Sequence, residues 1–183
     1  MIAKAVVRAC TREDMAEVRA IYALEVREGT ASFELEPPSL AEMSARFAAI
    51  EAAGLPYMVA ELGGQIAGFA YAAPYRARPG YRHTVEDSVY VARFARRQGV
   101  GRVLLDAVIE RATARCLRQM VAIIGDSAQV ASIQLHLRAG FRLVGTLEHV
   151  GWKFGRWLDT LIMQRPLGPG AAAPADEAMT PNP

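Results

Sequence analysis

Cysteine and histidine are scarce in this chain, which carries 2 of the first and 3 of the second among 183 residues. Cys10 and Cys116 lie far apart and neither belongs to a C-x-x-C pair, so a disulfide framework, a dithiol redox motif and a zinc knuckle have no support. Both thiols are expected as small core residues. His83, His136 and His149 show no metal-ligand spacing with the cysteines, and no metal is expected. Charge excess is also missing. Lys and Arg number 21 against 19 Asp and Glu, a net +2 that is too weak a field to imply a nucleic-acid partner. No apolar run approaches the ~18 residues of a membrane span, and the first residues lack a signal-peptide core. A cytoplasmic protein with no membrane partner is expected. The nucleotide motifs G-x-x-x-x-G-K-[ST] and G-x-G-x-x-G are absent as well.

What is present is apolar material: 52% of the side chains are hydrophobic, enough to bury one sizeable core. Val6 to Arg8 reads as a strand. Thr11 with Asp14 three residues on opens a helix whose buried stripe is Met15, Val18, Tyr22 and Val26. After Pro37-Pro38, Ser39 caps a second helix with Leu40, Met43, Phe47 and Ile50 on its apolar side. Tyr57 to Leu62 and Gln65 to Ala73 form a hairpin about Gly63-Gly64. Thr84 to Val91 is a further strand, followed by a helix carrying Val103, Leu104, Ala107, Val108 and Arg111. Met120 to Ile124 is an apolar strand, and Val130 to Ala139 a helix closed by Gly140. Phe141 to Gly145 and Leu158 to Gln164 complete the strands. This order predicts a single α/β domain over residues 1–167, a sheet with helices packed on it. The Gly-, Pro- and Ala-rich residues 168–183 are expected to be a disordered tail.

Between a strand and an amphipathic helix lie Arg96-Arg97-Gln98-Gly99-Val100-Gly101. Glycine lets an anion approach the backbone, the helix start offers unpaired N–H groups and a positive dipole end, and arginine adds charge from the side. Such a turn suits a pyrophosphate; it also suits a plain connecting loop with exposed arginines. The combination of Arg96-x-x-Gly99-x-Gly101 with Ser88-Val89-Tyr90-Val91 before it resembles the acetyl-CoA signature of the GNAT acetyltransferase superfamily. Three separated stretches, Tyr81 to Val91, Ser132 to Phe141 and Val150 to Asp159, resemble the branch acting on phosphinothricin and on methionine sulfone or sulfoximine.

That resemblance implies a mixed, mostly antiparallel twisted sheet, splayed where the coenzyme enters by a bulge in the strand at 84–91. It implies acetyl-CoA contacts from the backbone of Val89, Tyr90 and Val91, from Arg96, Arg97, Gln98, Gly99, Val100 and Gly101, and from Ser132. Gln129 stands where the family usually has an asparagine, retaining a side-chain amide. It also implies a homodimer and a small-molecule amine as acceptor.

An α-amino group with a reference pKa near 8 is mostly ammonium at neutral pH, so its attack on a thioester needs a base. Glu86, in a strand of otherwise apolar or hydroxylated residues, is the candidate; burial or a bridging water would fit it for that work. His136 takes the position where many superfamily members carry a tyrosine, as thiolate protonator or coenzyme contact. With no Ser-His-Asp order in the chain and no G-x-S-x-G elbow, attack within a ternary complex is expected in place of an acyl-enzyme. The loop Tyr75 to Arg82 supplies Arg76, Arg78 and Tyr81 for an anionic acceptor, since a guanidinium pairs bidentately with carboxylate or phosphinate. Thr84, Lys153 and Phe33, the family's aromatic pocket position, join them. Two other readings stand beside this one: an acetyltransferase for a protein or peptide amine, and a non-catalytic acetyl-CoA sensor.

Overall fold

Tyr57–Leu62 and Gln65–Pro74, strands β2 and β3, are built from aromatic and small apolar residues. Gly63 (φ 62°) and Gly64 (φ 81°) between them occupy the left-handed region that the connecting turn demands. In the computed structural model, which describes residues 5–175, both belong to one seven-stranded sheet. The other strands are β1 (Val6–Ala9), β4 (Thr84–Val91), β5 (Gln119–Gly125), β6 (Arg142–Lys153) and β7 (Arg156–Pro166). Their order is β1-β2-β3-β4-β5-β7-β6, and every pair is antiparallel except β4 with β5.

Helices cover both faces. On one lie α1 (Met15–Glu28) and α2 (Leu40–Ala52). The Thr11 N–H donates to Asp14 Oδ2 at 2.8 Å, and Arg8 grips the same carboxylate at 2.6 and 2.7 Å. The guanidinium holds the Asp14 carboxyl down at about 2. Ser39 Oγ accepts from the Glu42 N–H at 3.1 Å and caps α2. Met15, Val18, Tyr22 and Val26 are buried with Met43, Phe47 and Ile50 against Tyr57, Val59 and Phe69. Leu40, expected in that stripe, is 46% exposed because it occupies the first helical turn, outside the contact.

The opposite face carries α3 (Val100–Ala114) and α4 (Val130–Arg138). Leu104 and Val108 are buried as the periodicity predicts, but the rest of the stripe is Val100, Leu105, Ile109 and Ala112 rather than Val103, Ala107 and Arg111. The helix is rotated so that the edge toward β2 and β3 is inside. The buried valine and leucine side chains among these contribute about 1.5–3 kcal/mol each through apolar burial. Cys116, expected in the core, is exposed on the turn after α3, where its φ of 58° belongs to a chain reversal. The last two strands run longer than predicted, because the chain from Val150 to Asp159 continues both as a hairpin with Phe154-Gly155 at its tip. After β7, residues 168–173 form turns and bends, and Arg118 donates to the carbonyls of Gly170 (3.4 Å) and Pro174 (2.7 Å). The remainder of the expected tail lies outside the described residues.

Strand β4 is the pivot of the sheet. Its pairing with β3 runs unbroken from Val85 opposite Pro74 to Val91 opposite Gly68, with no register shift. A Cβ at Gly68 would lie 2.7 Å from the Tyr90 carbonyl and 3.1 Å from Leu104 Cδ1, so β4 and α3 close on β3 only because that position is glycine. On its other side β4 pairs with β5 only from Thr84 to Asp87, after which the two strands part. The splay is therefore present without the expected bulge, because neither pairing of β4 shifts register. We expect Gly68→Ala to overpack this contact and cost about 1–3 kcal/mol, read from the urea midpoint of unfolding.

Candidate active site

The gap left where β4 leaves β5 is lined by Asp87, Ser88, Val89 and Tyr90 on one side and by Ala122, Ile123, Ile124 and Gly125 on the other, with Ser132 and His136 of α4 and Ala31 closing it. Strand alternation sorts β4 onto two faces. Glu86 and Ser88 sit opposite Ala73 and Tyr71, on the side of α1 and α2; Val85, Asp87 and Val89 face α3 and α4. Glu86 and Asp87 are thus neighbours in sequence on opposite sides of the sheet.

Burial pushes the Glu86 carboxyl up, with the Arg76 charge acting in the opposite direction. Arg76 lies over the Tyr75 ring at 4.4 Å, and Tyr75 meets Tyr81 edge to face at 5.6 Å. Arg78 is exposed at the start of the short turn Pro79–Tyr81, and Thr84 lies at the base of β4 beside Gln119. Of the two arginines, Arg76 is the one whose charge reaches Glu86.

Asp87, absent from the residues singled out in the sequence, is 5% exposed and bonds His136 Nε2 through Oδ2 at 2.9 Å. Its Oδ1 is buried without a partner among the described residues. His136 is itself 4% exposed, its Nδ1 lying 2.7 Å from the Ser132 carbonyl and 3.5 Å from Ser132 Oγ. Burial lowers the imidazole pKa, but the bonds to Asp87 and the Ser132 carbonyl raise it by more, and the net shift is upward. The signal that could have found Asp87 is its place on the apolar side of a buried strand, where a carboxylate needs a partner.

At the mouth of the gap, Arg97 (φ 62°) and Gly99 (φ 81°) are both left-handed, and α3 begins at Val100 with no side-chain cap. Gln98 turns back to the Phe94 carbonyl at 2.7 Å, while Arg96 reaches Glu25 at 3.1 Å. A Cβ at Gly101 would lie 3.4 Å from both Val91 and Leu135. The structure offers a narrow slot with unpaired strand edges leading from a positively charged helix start, which fits an extended amide-bearing arm ending in a pyrophosphate.

Residues 7–162 match the acetyltransferase (GNAT) domain. This chain belongs to the GNAT family. It is 52% identical over 164 residues to a phosphinothricin N-acetyltransferase of Alcaligenes faecalis, covering 90% of this chain and 83% of that one. It is 44% identical over 162 residues to an L-methionine sulfoximine/L-methionine sulfone acetyltransferase of Pseudomonas paraeruginosa, covering 88% and 94%. A crystal structure of a GNAT phosphinothricin acetyltransferase from Sinorhizobium meliloti, in complex with acetyl-CoA, superposes with a TM-score of 0.93 at 44% identity, covering 97% of this chain and 96% of that one. The GNAT chain described here is accordingly an acetyl-CoA-dependent N-acetyltransferase, and the sensor reading is set aside.

Other expected residues of this GNAT site lie around the far end of the slot. Phe33 rests on two glycines: a Cβ at Gly151 would be 2.3 Å from its ring and one at Gly125 2.9 Å. Lys153 is buried, donates to the Ser32 carbonyl at 2.7 Å and faces the Phe154 ring at 5.1 Å; burial lowers its pKa. Gln129 Nε2 donates to Thr30 Oγ1 at 2.9 Å, tying the loop before α2 to the start of α4. A larger cavity, about 400 Å³, opens elsewhere among Cys10, Phe47, Tyr57 and Arg115. It contains none of the residues of the slot, and burial pushes its Cys10 thiol up to about 12, so it holds no ready nucleophile. Among the described residues no group of His, Cys, Asp and Glu could hold a metal ion.

Because the folded imidazole of His136 has a pKa above the ordinary 6.5, the stability it contributes is fully present below about pH 6.5 and lost as pH rises through the raised value. Urea unfolding across that range, compared between the parent protein and Asp87→Asn, is expected to show the alkaline loss only in the parent.

Proposed function

We propose that this enzyme acetylates the amino group of a small, anionic amino acid of the phosphinothricin, methionine sulfone or methionine sulfoximine type. The observation that carries the reading is the placement of Glu86, half-buried on the α1 and α2 side of the slot, with Arg76 close enough to act on it electrostatically. A carboxylate with a raised pKa removes the ammonium proton, directly or through one water, and leaves the amine lone pair free. Arg76 and Arg78 pair with the acceptor's carboxylate or phosphinate, while Tyr81, Thr84, Phe33 and Lys153 bound the pocket. The names of the two relatives support the same acceptor class.

On the other side of the sheet, the backbone of Val89, Tyr90 and Val91 holds the extended arm of acetyl-CoA. The turn Arg96 to Gly101 takes the pyrophosphate through backbone N–H groups and arginine charge. Ser132 lies beside the arm, and Gln129 reaches it only by giving up its bond to Thr30. The coenzyme supplies the activated acetyl thioester. The backbone N–H groups near Val89 stabilise the oxyanion that forms on attack.

The enzyme is further proposed to work in the cytoplasm, as a homodimer. Strand β6 is one of the two edge strands of the sheet, and Leu143, Val144, Leu147, Val150 and Trp152 stand exposed along it, with Trp157 edge to face on Trp152 at 5.1 Å. An open edge with this much apolar surface pairs well with a second copy of itself. Sedimentation velocity is expected to give a dimer for the parent protein and a monomer for Leu147→Glu combined with Trp152→Glu.

Release of the coenzyme thiol in the presence of phosphinothricin, methionine sulfone and methionine sulfoximine tests the acceptor class. No turnover above background with any of the three would remove it. Glu86→Gln is expected to lower kcat by roughly 10²- to 10⁴-fold with coenzyme affinity unchanged by calorimetry.

A further inference from the structure

Glu86 accounts for the proton that leaves the amine, but the departing sulfur must gain one. His136 alone does not supply it simply, because both ring nitrogens are engaged: Nε2 with Asp87 Oδ2 at 2.9 Å and Nδ1 with the Ser132 carbonyl at 2.7 Å. Two acceptors, one on each nitrogen, are the environment of an imidazolium. Ser132 Oγ lies 3.5 Å from Nδ1, within the looser range of a site awaiting its substrate, and Ser132, His136 and Asp87 all line the slot. The three side chains stand in a row, hydroxyl to imidazole to carboxylate, although they come from α4 and β4 in an order that no linear motif reveals.

We propose that Ser132, His136 and Asp87 form a proton relay that serves the departing coenzyme sulfur, with Asp87 as the positioning residue that selects which ring nitrogen exchanges the proton. The inference rests on acetyl transfer at this slot. When the tetrahedral intermediate collapses, the carbon–sulfur bond breaks and its electron pair goes to sulfur. The sulfur takes the proton of Ser132 Oγ, and Oγ takes the proton of His136 Nδ1. The imidazole that remains is the Nε2–H form, which is the tautomer that donates to Asp87 Oδ2. The acceptor nitrogen gives up two protons in all: the ammonium proton, which Glu86 passes to solvent before attack, and a second as the amide forms, which Glu86 takes and returns through solvent to His136, so that ammonium and acetyl-CoA become amide, free thiol and one released proton. Asp87 thus acts through His136, and its carboxylate is the buried counter-charge of the imidazolium. Without it, the ring would be a buried cation with no partner.

The charges around His136 are few. From β4 comes Asp87, and β5 offers only the uncharged Ala122, Ile123, Ile124 and Gly125 along the slot. Arg102 of α3 donates to the Arg138 carbonyl at 2.8 Å, and Arg165 of β7 bonds the Ala139 carbonyl and lies 5.9 Å from the Phe141 ring, whose edge-to-face partner is His136. On its own helix the nearest charge is Arg138.

The first test needs no coenzyme: nitrogen NMR of the His136 ring during a pH titration. The relay requires the neutral ring to be the Nε2–H tautomer in the parent protein and the apparent pKa to fall in Asp87→Asn; a neutral ring protonated on Nδ1 overturns it. The second test follows kcat and KM across the pH range. Asp87→Asn and Ser132→Ala are each expected to lower kcat by about 10- to 100-fold with KM for acetyl-CoA within about 3-fold. The alkaline limb of kcat moves to lower pH in Asp87→Asn alone. Unchanged kcat in either variant refutes the relay while leaving the parent's acetyl transfer intact, whereas an inactive parent would refute the enzyme reading itself. Should Asp87→Asn fail to fold, Asp87→Glu, which keeps the carboxylate, is expected to retain the Nε2–H tautomer and serves the same comparison. An acetyl adduct on Ser132, found by mass spectrometry after incubation with acetyl-CoA alone, would replace the relay with an acyl-enzyme.

Discussion

The site depends on two neighbouring strands that stop pairing. Beyond Asp87 and Ala122, β4 remains bonded to β3 and β5 remains bonded to β7, but neither satisfies the other. Backbone N–H and C=O groups left unpaired inside a protein are costly, and the usual remedy is a partner with the same bonding pattern. An extended arm carrying amides has that pattern, and in the proposed function the coenzyme is the partner that completes the sheet here. Helix α3 begins beside this gap with an uncapped first turn, where the proposed pyrophosphate site lies.

The gap also divides the chemistry. A strand places successive side chains on opposite faces, and here consecutive residues carry the two carboxylates. Glu86 stands among Tyr71, Ser88 and the aromatic layer under α1 and α2, and Asp87 stands with His136 under α4. One sheet therefore separates the proposed base from the proposed relay, although Glu86 and Asp87 are joined by a single peptide bond. Had both faced the same way, two buried carboxylates side by side would have repelled each other, and one would have been held protonated.

Much of this was legible in the sequence, for identifiable reasons. Thr11, Ser39, Gly63-Gly64 and Gly140 are local signals whose structural meaning does not depend on distant residues, and the elements they bound were placed correctly. The turn Arg96 to Gly101 was legible as a glycine-bearing helix start, with Gly99 left-handed and α3 beginning at Val100 without a side-chain cap. The rest depended on long-range contact. Helix α3 packs with Leu105 and Ile109 inward because β2 and β3 approach it from one side, and Asp87 matters because α4 delivers an imidazole 49 positions later. Phe33 is placed by two glycines, at 125 and 151, which the chain brings together from separate strands.

Seen mechanically, the sheet is two plates sharing a short seam. The first plate, β1 to β4, is drawn tight where Gly68 lets β3 and β4 meet without an intervening side chain. The second, β5, β7 and β6, is held by its own long ladders. Only the rungs from Thr84 opposite Gln119 to Asp87 opposite Ala122 join them. The mouth therefore opens where four rungs end, and each plate keeps its own internal packing on either side of it.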